Sequence, residues 1–431
     1  MTTPAILTAR TDRRLIRADG KSKRFVQVQV TAPAAERRRE RLPVNVAFVL
    51  DRSGSMSGEK IDLARRTILE AIGRLDSRDR FSIVAYDDVV EVVADAAAAT
   101  PESRDRAAAR LAAIDARAST NLSGGWLRGA EQVAHGQFAD GVNRVLLLTD
   151  GLANVGITDA AELATHAAQL RARGVSTTTF GIGADFDEVL LQGMADAGGG
   201  HFYFVRDATT ISDHISSEVG ETLEVVARDV ELEVVVADGV RVEAISPQPI
   251  RARSGRIIVD LGDLVSEQVL DVVLRLTFPF GDAGRTTGAV IGLSDRNAVL
   301  GGRDGAPTVD DRITWTWDDH AANDIQPREV EVDRGVAVQF AARARQEAVR
   351  LNRAGDFAGA RHVLGATAKR IREYAGRDER MRQLVAELSA EGETFSAPMP
   401  AIALKEAHFA GSNLARMRSA SGAALRSRPP G

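Results

Sequence analysis

Five oxygen-bearing residues in three separate stretches form a donor set suited to a hard cation. Asp51-Arg52-Ser53-Gly54-Ser55 supplies a carboxylate and two hydroxyls within one turn. Thr120, in Ala118-Ser119-Thr120-Asn121-Leu122, adds a third hydroxyl, and Asp150, in Thr149-Asp150-Gly151, adds a second carboxylate. The set holds no imidazole or thiolate, so Mg²⁺ (or Mn²⁺ or Ca²⁺) suits it better than zinc or copper. Two carboxylates balance a divalent charge, and weakly binding hydroxyls leave positions for water or for an acidic side chain of another molecule. Taken singly, each Asp or Ser fits a turn or a helix cap equally well. The cation reading rests on the five together.

The elements that must position these residues follow from hydrophobic patterning. Val44–Leu50, Phe81–Tyr86, Val145–Leu148, Thr177–Ile182 and Phe202–Val205 are short apolar runs of the kind buried on both faces of a parallel sheet. Between them lie helical patterns. Ile61, Ala64, Ile68, Ile72 and Leu75 share one helix face. Thr100-Pro101 opens a second helix, Thr158 is placed to cap another, and Glu188–Ala197 forms a further one. Such alternation predicts a doubly wound α/β domain, with Asp88–Val93 as an antiparallel edge strand. Asp51 and Asp150 then both stand at carboxyl ends of strands, where open α/β sheets bind ligands.

Outside this domain the texture changes. Val26, Val28 and Val30 alternate with polar residues, and six short strands follow between Val230 and Trp317. The expectation is an antiparallel β-sandwich split by the inserted α/β domain. The expected boundaries are 1–43 for the first strands, 44–222 for the α/β domain and 223–325 for the rest of the sandwich. A helical segment of three short helices would occupy 326–395, and 396–431, which from Ser412 is rich in Ser, Ala and Arg and ends Arg428-Pro429-Pro430-Gly431, would be a flexible tail.

These stretches resemble the metal-ion-dependent adhesion site of the von Willebrand factor A domain family. Phe81–Tyr86, Phe180-Gly181-Ile182-Gly183 and Gly198–Phe204 resemble further strands of that domain. The wider layout is similar to inter-alpha-trypsin inhibitor heavy chains and their bacterial relatives. The resemblance implies that Ser53 and Ser55 bind the ion directly, that Asp51 and Asp150 act mainly through waters, and that Thr120 joins on ligand binding. It implies a divalent-metal-dependent protein-interaction module that docks an Asp or Glu of a partner.

Composition narrows the alternatives. The chain has 431 residues, 44% hydrophobic and 27% charged, with a net charge of -5. That balance gives no reason to expect nucleic acid. No cysteine is present, which excludes disulfides and thiolate chemistry. No apolar stretch has the length of a signal peptide core or a membrane span, so a cytoplasmic protein is expected. Gly181-Ile182-Gly183 lacks the third glycine of a dinucleotide fingerprint. His135 and His201 have no metal-ligand spacing and are read as structural. Asp185 and Asp187 are read as helix caps, Asn121 and Asn154 as turn residues, and Glu59 and Asp62 as a solvated helix face. Arg416, Arg418, Arg426 and Arg428 make the tail basic. No catalytic residue is expected. Two other readings use the same site: an accessory, substrate-recruiting subunit of an ATPase or kinase–phosphatase system, and a metal-dependent hydrolase. The hydrolase is disfavoured because its water needs a base, and Asp51 and Asp150 are required by the ion.

Overall fold

The computed structural model describes residues 6–35, 41–117, 119–300 and 309–427. Ala118 and Arg428–Gly431, singled out above, lie outside the described residues, as does part of the first segment. The chain divides into two compact units, one of residues 35–225 with 421–423, the other of 1–34, 226–420 and 424–431.

The chain opens with β1 (Leu7–Thr11), β2 (Leu15–Arg17) and β3 (Ser22–Thr31). The α/β unit follows with β4 (Val44–Asp51), α1 (Glu59–Gly73), β5 (Arg80–Tyr86), β6 (Val90–Ala98), α2 (Pro101–Ala112) and α3 (Leu122–His135). It continues with β7 (Val142–Thr149), α4 (Ala160–Ala172), β8 (Ser176–Ile182), α5 (Glu188–Ala197), β9 (Gly199–Val205) and α6 (Ile211–Leu223). Its sheet runs β6-β5-β4-β7-β8-β9. Every neighbouring pair is parallel except β5 with β6. This is the mostly parallel, doubly wound sheet expected from the alternating pattern. All eight residues of β4 and all eight of β7 are buried, which accounts for their unbroken apolar runs.

Two glycines bring α3 close to this sheet. A Cβ on Gly125 would lie 2.4 Å from the Tyr86 ring, and one on Gly129 would lie 2.3 Å from Val49. The close approach positions the N-terminus of α3, and with it Thr120 and Asn121, over the carboxyl ends of β4 and β5. One cap differs from expectation. Asp159, not Thr158, caps α4, its carboxylate accepting from the Glu162 amide at 2.8 Å. An acidic cap also gains from the positive end of the helix dipole.

The second unit adds β10 (Val225–Val236), β11 (Arg241–Ala244), β12 (Ile250–Arg253), β13 (Arg256–Val265), β14 (Val269–Phe278), β15 (Thr286–Ser294) and β16 (Val309–Asp318). Two sheets result, β1-β3-β14-β11 and β12-β13-β10-β15-β16-β2. Strands β1 with β3, β3 with β14, β14 with β11, β12 with β13, β10 with β15 and β15 with β16 pair antiparallel, and β16 with β2 pairs parallel. Val26, Val28 and Val30 enter the shared core with Leu232, Val272, Leu274 and Trp315, so the first strands do complete a sandwich with later ones. Strand β12 was missed in the sequence because it is four residues long and exposed throughout.

Helices α7 (His320–Ile325), α8 (Val330–Arg353), α9 (Phe357–Ala375), α10 (Glu379–Phe395) and α11 (Ala401–Ala415) complete the unit. Helix α8 has 24 residues, longer than the short helices expected. Val332 and Val336 of α8 pack on Ile245 and Val273 of the sandwich. The flexible-tail expectation for 396–431 is corrected at α11. Leu404, Phe409 and Ala415 are buried there, and the Gln339 amide donates to the Ala415 carbonyl at 2.9 Å. Beyond it the Val269 amide donates to the Leu425 carbonyl at 2.8 Å and the Ser427 amide to that of Glu267 at 2.9 Å. Most of α11 precedes the Ser/Ala/Arg-rich stretch that begins at Ser412, and burial of its apolar side chains holds it in place. Among the described residues no helix is long and apolar enough to cross a membrane.

Candidate metal centre

The three predicted stretches converge at the carboxyl end of the α/β sheet. Asp51 is the last residue of β4 and Asp150 follows β7, its neighbour in the sheet. After Asp51 the chain makes one short turn, pinned by buried Met56, whose amide donates to the Ser53 carbonyl at 3.0 Å. Gly58, at φ 79°, then redirects the chain into α1. That backbone conformation strains any residue with a Cβ.

Asp51 is fully buried. Its Oδ1 accepts from the Ser53 amide at 2.8 Å and its Oδ2 from the Thr149 hydroxyl at 2.6 Å. Burial pushes its carboxyl up to about 6, against the lowering effect of those hydrogen bonds, and the charge of Asp150 pushes the same way as burial. The Ser53 and Ser55 hydroxyls lie 3.2 Å apart, and Ser55 donates to Asp150 Oδ1 at 2.6 Å. Thr120 is buried, and a Cβ on Gly151 would lie 3.5 Å from its Oγ1 and 3.8 Å from the Ser55 Oγ. The Thr120 and Ser55 hydroxyls therefore flank the same piece of backbone. All five residues are brought to one place.

Neighbouring residues hold the loops. Asp87, after β5, accepts from Arg52 Nε at 3.1 Å and Arg117 Nε at 2.6 Å. The Asn121 amide donates to the Asp87 carbonyl at 2.7 Å, and the Asn154 and Val155 amides both donate to Thr120 at 3.2 Å. Asn121 also caps α3 through the Gly124 amide. Asp187 caps α5, accepting from the Val189 and Leu190 amides, which accounts for it without an ion.

Lys60 is the site residue that sequence reasoning missed. Its Nζ lies 2.5 Å from Asp150 Oδ2 and 3.2 Å from the Ser55 carbonyl. The available signal was its place in the first turn of α1, directly after the Asp-x-Ser-x-Ser loop. That turn had been read as a solvated face from Glu59 and Asp62.

The donor set fits a hard divalent cation: two buried carboxylates and three hydroxyls, with no nitrogen or sulfur ligand among the five. One ammonium faces two carboxylates, which leaves negative charge for a cation to balance.

A second carboxylate cluster lies in the same unit. Ligand atoms of His201, Glu218 and Glu221 fall within 4.8 Å of one another. Both Glu218 oxygens are already engaged, however. Oε1 accepts from Arg144 and Thr178, each at 2.7 Å, while Oε2 lies 2.9 Å from the Tyr203 hydroxyl and 3.0 Å from His201 Nδ1. The buried Arg144 guanidinium supplies the positive charge that a metal would otherwise bring, so His201 belongs to a structural network.

The exposed large apolar side chains among the described residues of this unit are Val89, Leu127, Leu152, Val155 and Val189. Val89 follows β5, Leu152 and Val155 follow β7, and Val189 starts the helix after β8. These four surround the carboxyl-end face on which Asp51 and Asp150 stand.

Residues 45–217 match the family model of the von Willebrand factor type A domain. The chain is 30% identical over 210 residues to the uncharacterized protein YfbK of Escherichia coli K12, covering 48% of this chain and 36% of that protein. It is 31% identical over 164 residues to inter-alpha-trypsin inhibitor heavy chain H4 of Sus scrofa, covering 37% of this chain and 18% of that protein. This chain thus spans well under half of either curated relative. A solved von Willebrand factor type A protein from Catenulispora acidiphila aligns over 98% of both chains with a TM-score of 0.69 and 19% identity, a likeness of fold. The α/β unit therefore carries a von Willebrand factor type A domain, a module generally used in adhesion and protein interaction.

Proposed function

We propose that Asp51, Ser53, Ser55, Thr120 and Asp150 form a metal-ion-dependent adhesion site that docks an acidic side chain of a protein partner. The observation that carries this reading is convergence. Two buried carboxylates and three hydroxyls from three loops meet at one sheet end, with a single lysine against them. A bound Mg²⁺ supplies a fixed divalent charge in part-dry surroundings, where it attracts a carboxylate more strongly than a surface lysine does. Thr149 and the Ser53 amide orient Asp51, and Ser55 orients Asp150. The apolar side chains of Val89, Leu152, Val155 and Val189 give the surrounding face the character of a protein-contact surface.

The reading is of a binding module, not an enzyme. Both carboxylates are committed to hydrogen bonds that position them, which disfavours either as a base for an attacking water. His135 ends α3 and His201 lies in the first half of β9, both towards the opposite end of the sheet.

The test is capture from native lysate on the whole protein, in Mg²⁺ and in chelator, beside Asp51→Ala and Thr120→Ala. A partner held in Mg²⁺ and lost with chelator and with either variant is expected. A partner indifferent to chelator and to both substitutions would remove the docking role from this site.

A further inference from the structure

Lys60 is tied to the proposed site by geometry that the adhesion reading does not use. Its ammonium sits against Asp150 Oδ2 and the Ser55 carbonyl, while the Ser55 hydroxyl takes Asp150 Oδ1 at 2.6 Å. Asp150 is therefore shared between a candidate ion ligand and a charged side chain of the protein itself. The two partners differ in freedom. Asp150 is fixed, with its side chain fully buried, whereas the Lys60 side chain is 32% exposed on a four-carbon stem. The lysine can move into water and the carboxylate cannot.

We propose that Lys60 is an internal surrogate cation that competes with the divalent ion for Asp150. Two buried carboxylates side by side, Asp51 and Asp150, are unfavourable without a positive charge close by. Lys60 provides that charge from within the chain and holds the Ser55 turn to Asp150. When Asp150 engages a divalent ion, the ammonium faces a like charge at short range in a poorly screened site. Lys60 then yields Asp150 and extends towards solvent. The residue thus lowers ion affinity and keeps the Ser55 turn and Asp150 together without one. The idea rests on the cation-site reading, and its experiment separates the two.

Titration calorimetry with Mg²⁺ and with Mn²⁺ would be run on the whole protein, on Lys60→Met, which keeps the stem and loses the charge, and on Lys60→Arg. Lys60→Gln serves as a second neutral variant, and thermal melts in chelator and in saturating Mg²⁺ accompany each chain. The neutral variants should bind Mg²⁺ at least about tenfold more tightly than the wild type, while Lys60→Arg stays near it. In chelator the neutral variants should melt below the wild type, and saturating Mg²⁺ should close that gap. Equal or weaker binding by folded neutral variants overturns the surrogate role and leaves the cation site standing. No binding to any chain overturns the cation site, and the role of Lys60 with it.

Discussion

Two of the places where the α/β unit buries negative charge neutralise it in different ways. Around Glu218 the counter-charge is a guanidinium as deeply buried as the carboxylate, with a hydroxyl, a phenol and an imidazole on the remaining positions. Around Asp51 and Asp150 there are two carboxylates and one ammonium, and the ammonium reaches solvent. The first centre is closed, since each oxygen has its donors within the protein. The second is open, because part of its charge balance is left to something that arrives. An acidic cluster with a full internal complement is architecture, and one in deficit at a sheet's carboxyl end is a place for a ligand.

This contrast can be broken most forcefully at the closed centre. Arg144→Leu leaves Glu218 buried without its partner and should cost about 3–5 kcal/mol of stability, the usual penalty for an orphaned buried charge. Denaturant unfolding should give the same loss with Mg²⁺ or chelator; a loss that Mg²⁺ repairs would mean that this centre binds metal after all. At the open centre the expected effect is on binding. Asp150→Ala should weaken Mg²⁺ by about 10–100-fold, the range typical of a residue that holds the ion through water. Its stability in chelator should equal or exceed that of the wild type, because one of two adjacent buried carboxylates is gone. Large destabilisation in chelator would make Asp150 a structural residue like Glu218.

The smallest effect belongs to an exposed reference. The side-chain hydrogen bond from Arg78 holds the Asp76 carboxyl down at about 2, with Arg41 also contributing. A lowered carboxylate stabilises the fold above its ordinary value of 3.8, and that contribution fades as pH falls towards 2. Solvent screening keeps it below about 1 kcal/mol. Asp76→Asn should therefore differ slightly from the wild type near pH 5 and match it near pH 2 in acid unfolding. A difference of several kcal/mol would show that exposure is not what separates weak acid clusters from strong ones.

How much of this was legible in the sequence depended on how local the determinant was. The five donor residues were readable because each sits in a short stretch at the end of an apolar run. The runs themselves marked β4, β5, β7, β8 and β9. Lys60 escaped because its neighbours Glu59 and Asp62 suggested a solvated turn, and only the folded loop shows where its ammonium goes. The Arg144–Glu218 pair escaped because its members are far apart in the chain and look like ordinary polar residues. A faint trace existed, since an arginine inside a strand with no exposed residue needs a buried partner. Helix α11 was hidden by composition, as its small residues match those of a mobile tail and only packing distinguishes the two.

The split of the sandwich also sets an order of events during synthesis. Strand β3 pairs with β14, with Val26 opposite Leu274 and Val30 opposite Leu270. The whole α/β unit leaves the ribosome between them. At typical rates of about 5–20 residues per second, β3 waits roughly 10–50 s with its β14 edge unpaired. The α/β unit needs no later strand for its sheet and can close during that interval. Newly made chains thus pass through a stage in which the α/β unit is folded and β3, with β1 on one edge, still lacks β14 on the other. Chain yield should depend on how well that strand is shielded while it waits.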